Sequence, residues 1–295
     1  MRQLKLKNSI LLFFIAVIFI GLFPFLWIDS FGQQEMRVYF FDVGQAESIY
    51  IRTPQGANIL IDGGYDDKVI ERLGEVLDPW DNTIDLMILT HPHDDHVTGL
   101  VEVARRFKVS KVIATGALHT APNYLAWLSE IKERGIPMQI MDRRRMMQIG
   151  GGAYLEFIYP EESFYGKEAA NLNNTSIALR LVHKDVSFFL GGDIEEEVER
   201  KILASGADLR SNVMKANHHG SDTSNTEEFI RAVDPEYCVI TVGAKNQFGL
   251  PSKRVESRFT RGHCRILRTD LQGTIMFSSN GLRLEYGGDA KAFGK

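Results

Sequence analysis

The segment Thr90-His91-Pro92-His93-Asp94-Asp95-His96 constrains the chain more than any other feature, because it crowds three imidazoles and the Asp95 carboxylate behind the apolar run 84–89. The chain holds only eight histidines, so three within six positions mark a concentration with a purpose. Imidazole nitrogen and carboxylate oxygen suit Zn²⁺, Mn²⁺ or Fe²⁺, and the irregular backbone of a strand-to-helix turn can aim neighbouring side chains inward from different directions. Two further polar clusters follow apolar strands in the same way. Gly191-Gly192-Asp193 closes the run 187–190, where small residues permit close backbone approach and Asp193 presents a carboxylate or caps the next helix. Asn217-His218-His219-Gly220-Ser221 closes another. Three such clusters, each at the C-terminal end of a strand, predict one site on one edge of the sheets.

The intervening pattern supplies those sheets. Strand signals at 36–42, 48–53 and 58–61, with a Pro54-Gln55-Gly56 turn, read as an antiparallel meander closed by Asp62-Gly63-Gly64. A helix is predicted over 67–77, a strand over 84–89, and helices over 97–107 and 122–134 flanking a strand at 111–114. The stretch 136–168 reads as short strands and loops. Strands at 176–182 and 186–190 turn about 183–185, a charged helix spans 194–204, strands and helices alternate over 213–268, and a hairpin about Asn280-Gly281 ends the pattern. Strand runs at both ends with helices interspersed predict an α/β fold of four layers, αββα, in which two mixed sheets face each other and helices flank them. The 44% apolar content is enough to fill such a core over residues 36–295.

Residues 1–35 have a character of their own. Arg2, Lys5 and Lys7 precede an apolar run over 10–28, interrupted only by Gly21 and Pro24, and no Lys or Arg recurs until Arg37. This pattern predicts an N-terminal transmembrane helix with a short linker, the N-terminus in the cytoplasm and the remaining domain outside it. Secretion after signal cleavage is the alternative, against which Trp27-Ile28-Asp29-Ser30-Phe31-Gly32 offers no small-x-small site. Two cysteines, Cys238 and Cys264, are too few for a disulfide scaffold or a cysteine-rich zinc site. They read as two buried thiols, with a disulfide only where their strands are neighbours.

HPHDDH matches the HxHxDH signature of the metallo-β-lactamase superfamily, and its succession by GGD and HHGS resembles the hydrolase domain of the ComEC competence proteins. The likeness extends through FDVGQ at 41–45, LIDGG at 60–64, NNTS at 173–176 and RTDLQG at 268–273. It implies two divalent ions, zinc with manganese as the alternative. By the same resemblance His91 and His93 hold one ion, Asp95 and His96 the other, Asp193 bridges them, and one of His218 and His219 completes the second site. Where most members carry a further histidine this chain has Asn173, a possible oxygen ligand that strengthens the case for manganese. Such ions activate water for attack on a phosphodiester or other ester, with Asp95 and Asp193 as catalytic carboxylates and Ser221 or Lys215 touching a phosphate. His119 and His183 are read as lying outside the site. ComEC-like domains usually read GQGD where this chain has Gly44-Gln45-Ala46-Glu47, and GHP where it has Gly249-Leu250-Pro251.

A formal net charge of −4 gives no global attraction to nucleic acid, so a polyanion needs the ions or a local basic patch. The segment 253–268, with six basic residues against one acidic, and Arg143-Arg144-Arg145 are the candidates, against the plainer reading of a solvated helix face. The expectation is a nuclease or phosphodiesterase outside the cytoplasm, with the membrane and a nucleic acid or other phosphoester as partners and no protein partner inferable. A cell-envelope phosphoester hydrolase is the second reading. Ala46, Glu47 and Leu250 motivate a third, an inactive metal-binding module, and retention of the whole ligand motif argues against it.

Overall fold

Side-chain alternation along the strands decides the layering. In β1 (Met36–Phe40), Met36, Val38 and Phe40 enter one apolar cluster, whereas Tyr39 and the following Phe41 enter another on the opposite face. In β2 (Ile49–Arg52) and β3 (Asn58–Ile61), Ile49, Ile51, Ile59 and Ile61 repeat the first choice, and Tyr50 and Leu60 the second. This is the period-two pattern of strands buried on both faces. The computed structural model describes residues 35–289, and the anchor expected over 1–35 lies, save for Glu35, outside the described residues. Among the described residues no helix is long and apolar enough to cross a membrane.

The first sheet continues through β5 (Leu86–Ile88), β7 (Val112–Ala114) and β8 (Met138–Ile140), and is closed on its other side by β16 (Ile275–Ser279) and β17 (Leu284–Asp289). Its order is β17-β16-β1-β2-β3-β5-β7-β8, antiparallel as far as β3 and parallel beyond. The second sheet comprises β9 (Arg145–Gly150), β10 (Ala153–Tyr159), β11 (Ala178–His183), β12 (Val186–Leu190), β13 (Val213–Lys215), β14 (Tyr237–Ile240) and β15 (Arg265–Arg268) in sequential order. It is antiparallel as far as β12 and parallel from there to β15. A small pair, β4 (Thr83–Ile84) and β6 (Lys108–Val109), stands apart.

Phe40, Ile51, Leu155, Phe188, Val213 and Phe277 fill the space between the two large sheets. Helices α1 (Lys68–Val76), α2 (Asp94–Arg106) and α3 (Pro122–Glu133) cover the outer face of the first sheet. Helices α4 (Glu196–Ala204), α5 (Glu227–Val233) and α6 (Lys253–Arg261) cover that of the second. The layers therefore run helix, sheet, sheet, helix.

Two local expectations need correction, at α2 and the cysteines, and one, the stretch 136–168, is filled in. Helix α2 begins at Asp94 rather than 97, so half of the histidine-rich segment is its first turn; its N-cap, His93, makes no side-chain cap bond, which removes the usual sequence signal. The stretch 136–168 holds the seven-residue β10. Cys238 and Cys264 are not free thiols: β14 and β15 are parallel neighbours, and the two residues form a disulfide across a Cα separation of 5.8 Å. The two residues are 26 apart in sequence, and closing a loop of that length contributes about 3.5 kcal/mol.

Gly63 and Gly99 position the first functional loop. The Gly63 amide donates to His96 O at 2.7 Å and the Gly99 amide to Gly64 O at 3.1 Å, which presses α2 against the end of β3. A Cβ on Gly99 would lie 1.9 Å from Gly63 O, so glycine persists inside a helix where its propensity is poor. Gly99→Ala is expected to destabilise by about 2 kcal/mol, the clash outweighing the helix propensity gained. Thermal unfolding should show Tm lowered by about 4–8 °C; an unchanged or raised Tm would contradict this account of the contact.

Candidate metal centre

Four strands end at the site. Asp62 follows β3, the segment 90–96 follows β5, Asp193 follows β12, and the histidine pair follows β13. β3 and β5 are parallel neighbours, as are β12 and β13, so each pair delivers its polar residues to one edge. Gly192 adopts φ +54°, and a side chain there would press on Ser176 and Thr90 at 3.1 Å. The chain thus turns tightly into Asp193, whose amide receives support from Ser176 Oγ at 3.1 Å.

His218 and His219 are both left-handed, with φ of 50° and 53°. Two consecutive non-glycine residues in that region are costly and occur chiefly where function demands them. The result separates the two imidazoles. His219 Nε2 stands 3.4 Å from Asp95 Oδ2 and 3.4 Å from Asp193 Oδ2, while its Nδ1 donates to Thr241 O at 2.7 Å. His218 turns toward Asn173 Nδ2 at 3.4 Å, Glu195 Oε1 at 3.4 Å and Thr223 Oγ1 at 3.3 Å, with its Nε2 4.0 Å from Asp193 Oδ2.

His96 Nε2 completes the inner group, 3.4 Å from Asp193 Oδ2 and 3.8 Å from Asp95 Oδ2; its Nδ1 is held by Asp62 Oδ2 at 2.7 Å. Asp62 is itself fixed by the Thr90 amide and hydroxyl at 2.8 and 2.7 Å. On the adjoining side, His91 Nε2 and His93 Nδ1 face each other at 3.0 Å. Ligand atoms of Asp95, His96, Asp193 and His219 all lie within 4.8 Å of one another. His96 Nε2 and His219 Nε2 are buried without a hydrogen-bond partner, and so is Asn173 Oδ1. Ligands about 2.0–2.2 Å from a four-coordinate zinc lie roughly 3.3–3.6 Å apart, close to these spacings. Orphaned imidazole nitrogens at ion-bridging separations fit a divalent cation.

The electrostatics divide the imidazoles. His91 falls well below the ordinary histidine value, through burial first and His96 second; His93 and His218 are also lowered, with burial leading. His96 is pushed well above it: burial opposes its charge, but Asp193, Asp62 and Asp95 prevail. His219 is likewise raised against burial by Asp193 and Asp95. Burial would raise Asp193, yet His219, His96 and Lys215 hold it well below the usual carboxylate range. The raised imidazoles of His96 and His219 thus stand against the buried acids, and a cation bound there would compete with their protons.

The remaining predicted residues fall variously. Asn173 lies beside His218, and Ser221 is largely buried with its hydroxyl paired to Thr223. Lys215, expected at a phosphate, is instead turned away from solvent: it is fully buried, bonded to Gly192 O at 3.0 Å and paired with Glu47 and Asp193. His119, read as outside the site, stands with its ring centroid 6.2 Å from that of His93. His183 is buried at the end of β11, bonded to Ser279. Asp62 and Glu195 carry no role in the sequence reading. Asp62 had the same signal as Asp193, an acid followed or preceded by glycines at a strand end.

Residues 41–243 match the family model described as the metallo-beta-lactamase superfamily. The chain is 29% identical over 275 residues to ComE operon protein 3 of Bacillus subtilis, covering 87% of this chain and 34% of that protein. It is 26% identical over 260 residues to competence protein ComA of Neisseria gonorrhoeae, covering 84% and 33%. The chain thus spans about a third of the length of these curated relatives. Among solved structures it resembles the metallo-beta-lactamase fold protein YhfI from Bacillus subtilis, with TM-score 0.54, 8% identity and coverage of 83% and 100%. Igni18, a metallo hydrolase from Ignicoccus hospitalis, gives TM-score 0.51 at 15% identity, with coverage of 82% and 98%. At such identities the structural likeness is one of fold.

Because His96 and His219 keep their protons above the ordinary imidazole value of 6.5, cation binding at the inner group must expel protons even near neutral pH. Affinity for Zn²⁺ should fall as pH is lowered from 8 to 6. Titration calorimetry in buffers of differing ionisation enthalpy should register proton release. Proton-neutral binding with a pH-independent affinity would refute the assignment.

Proposed function

The chain belongs to the metallo-β-lactamase superfamily, and from that membership we propose that it is a metal-dependent phosphodiesterase working outside the cytoplasm. The observation that carries this reading is the convergence of Asp95, His96, Asp193 and His219, with unpartnered imidazole nitrogens, beside the His91 and His93 pair. The first four would hold one ion, and His91 and His93 the other, with Asp193 between them and Asn173 Oδ1 or His218 nearby. Bound there, two divalent ions lower the pKa of water and stabilise charge developing on a phosphate oxygen. The inner spacings favour zinc, and the Asn173 oxygen keeps manganese as the rival.

The chain's own groups do the rest. Asp62, Thr241 O and the Thr90 hydroxyl fix imidazole orientation from behind. Asp95 keeps 31% of its side chain exposed against 2% for Asp193, so it is the acid that meets incoming water and orients it. Kinship with a competence protein favours the phosphodiester of nucleic acid as substrate. The basic segment 253–268 lends little grip at three of its arginines: Arg258 donates to Ser224 O and Asn225 O, Arg261 pairs with Glu227, and Arg268 with Glu256 and Asp270. A phosphate would therefore be held chiefly by the ions. Against the inactive-module reading, Glu47 turns its carboxylate to Lys215 beneath the site, and Leu250 packs on the outer core of the second sheet. Neither departure strips a ligand from the cluster.

The Cys238–Cys264 disulfide supports an oxidising compartment, as does the basic-then-apolar N-terminus. Thiol alkylation before and after reduction, read by mass, should label neither cysteine in the protein drawn from membrane fractions and both after reduction. Two free thiols there would overturn the extracytoplasmic placement.

Purified protein loaded with Zn²⁺ or Mn²⁺ is expected to cleave bis-p-nitrophenyl phosphate and single-stranded DNA, and to lose both activities to chelator. Asp193→Asn should lower kcat/KM by about 10³-fold, roughly 4 kcal/mol. Bound ions with no turnover on either substrate would leave the inactive module standing instead.

A further inference from the structure

Lys215 is the fully buried base of the site, and the metal-holding reading gives it no task. Its ammonium meets three oxygen groups: Gly192 O at 3.0 Å, Asp193 Oδ1 at 3.4 Å and the Glu47 carboxylate. Glu47 is as deeply buried, and its backbone ties the neighbouring loops together, the amide donating to Asp95 O and the carbonyl accepting from Gly64 N. Asp193 is divided between two surroundings. Oδ1 faces the ammonium, while Oδ2 faces His96, His219 and His218 at 3.4, 3.4 and 4.0 Å.

We propose that Glu47 and Lys215 are a positioning pair, in which the ammonium occupies one oxygen of Asp193 so that the other alone is presented to the ions. A carboxylate with both oxygens free can chelate a single cation through the pair of them, and a residue that must serve two cations cannot be left that choice. Tethered to β13, the ammonium behaves as a fixed cation on the protein side of Asp193, and Glu47 compensates its charge where water is excluded. A buried ion pair is an expensive way to fill space, since apolar residues of similar volume often do so at no loss of stability. Its position directly behind the shared acid, rather than elsewhere in the core, is what a positioning role requires. The inference rests on the two-ion reading above.

The test uses the full chain and the double variant Glu47→Gln, Lys215→Met. This removes one negative and one positive charge, so net charge and approximate volume are kept and only control of Asp193 is lost. Ion content by mass spectrometry and the electron paramagnetic resonance spectrum of Mn²⁺-loaded protein are read beside the kinetics. The parent is expected to hold two ions and give an exchange-coupled signal. The folded double variant should hold one, give an isolated six-line signal, and lose about 100-fold in kcat with little change in KM. Lys215→Arg, which keeps the cation, should recover part of the coupled signal. A folded double variant with the parental ion content and coupled spectrum overturns the proposal. So does one that fails to fold even with saturating Mn²⁺, because the pair would then serve stability alone. A parent that takes up no ion defeats the metallohydrolase reading itself and is distinguishable from both.

Discussion

Acids buried together in one place must find positive charge, and the rest of this structure can be read as the provision of it. Asp62, Glu47 and Asp193 are almost wholly out of water, and Asp95 adjoins them. Like charges at such depth raise one another's cost steeply, and only partners of opposite sign within a few ångströms make the arrangement tolerable. Lys215 supplies one fixed charge and His96 and His219 supply two that are conditional on pH. A site whose charge balance depends partly on removable protons is ready to exchange them for cations. The neutral character of His91, His93 and His218 complements this, since those nitrogens can act as ligands without first losing a proton.

The fold meets that demand through parallel strands. Only parallel neighbours present their C-terminal ends on one edge, and each sheet turns parallel where the acids and imidazoles are delivered. The strands with only antiparallel neighbours contribute much of the apolar contact between the sheets and carry no member of the inner cluster. Stability and chemistry are thus divided within each sheet. Close contacts at glycines join them: Gly63 against the Gly99 backbone, and Gly192 against the Ser176 and Thr90 side chains, set distances that a side chain on the glycine would spoil.

What the sequence disclosed, and what it hid, follows from this division. HPHDDH, Gly191-Gly192-Asp193 and the histidine pair are legible because polar residues interrupt apolar strands, a contrast visible along the chain. The choice between His218 and His219 is not, because it depends on two left-handed residues that send adjacent side chains apart. Helix α2 hides its first turn because the side chains that would mark a cap are occupied as candidate ligands. The cysteine pairing depends on β14 and β15 being neighbours, a fact of sheet order rather than of either segment. Lys215 misled for a related reason: beside two histidines a lysine reads as a substrate contact, whereas the inward phase of β13 buries it.

The same phase argument bears on Glu47. It differs from the aspartate usual at that place in ComEC-like domains, and viewed along the chain the change looks like damage to a catalytic motif. In three dimensions the carboxylate meets an ammonium that rises from the other sheet, so its length matters for reach across the interface rather than for contact with substrate. Ala46 beside it is buried in the helix-side core of the first sheet, where an added methyl fills space. A longer acid on the Lys215 side of Asp193 leaves the open side, where Asp95 meets solvent, unaltered. Departures from a family motif therefore have to be weighed by the face on which they fall, and Glu47 falls on the supporting one.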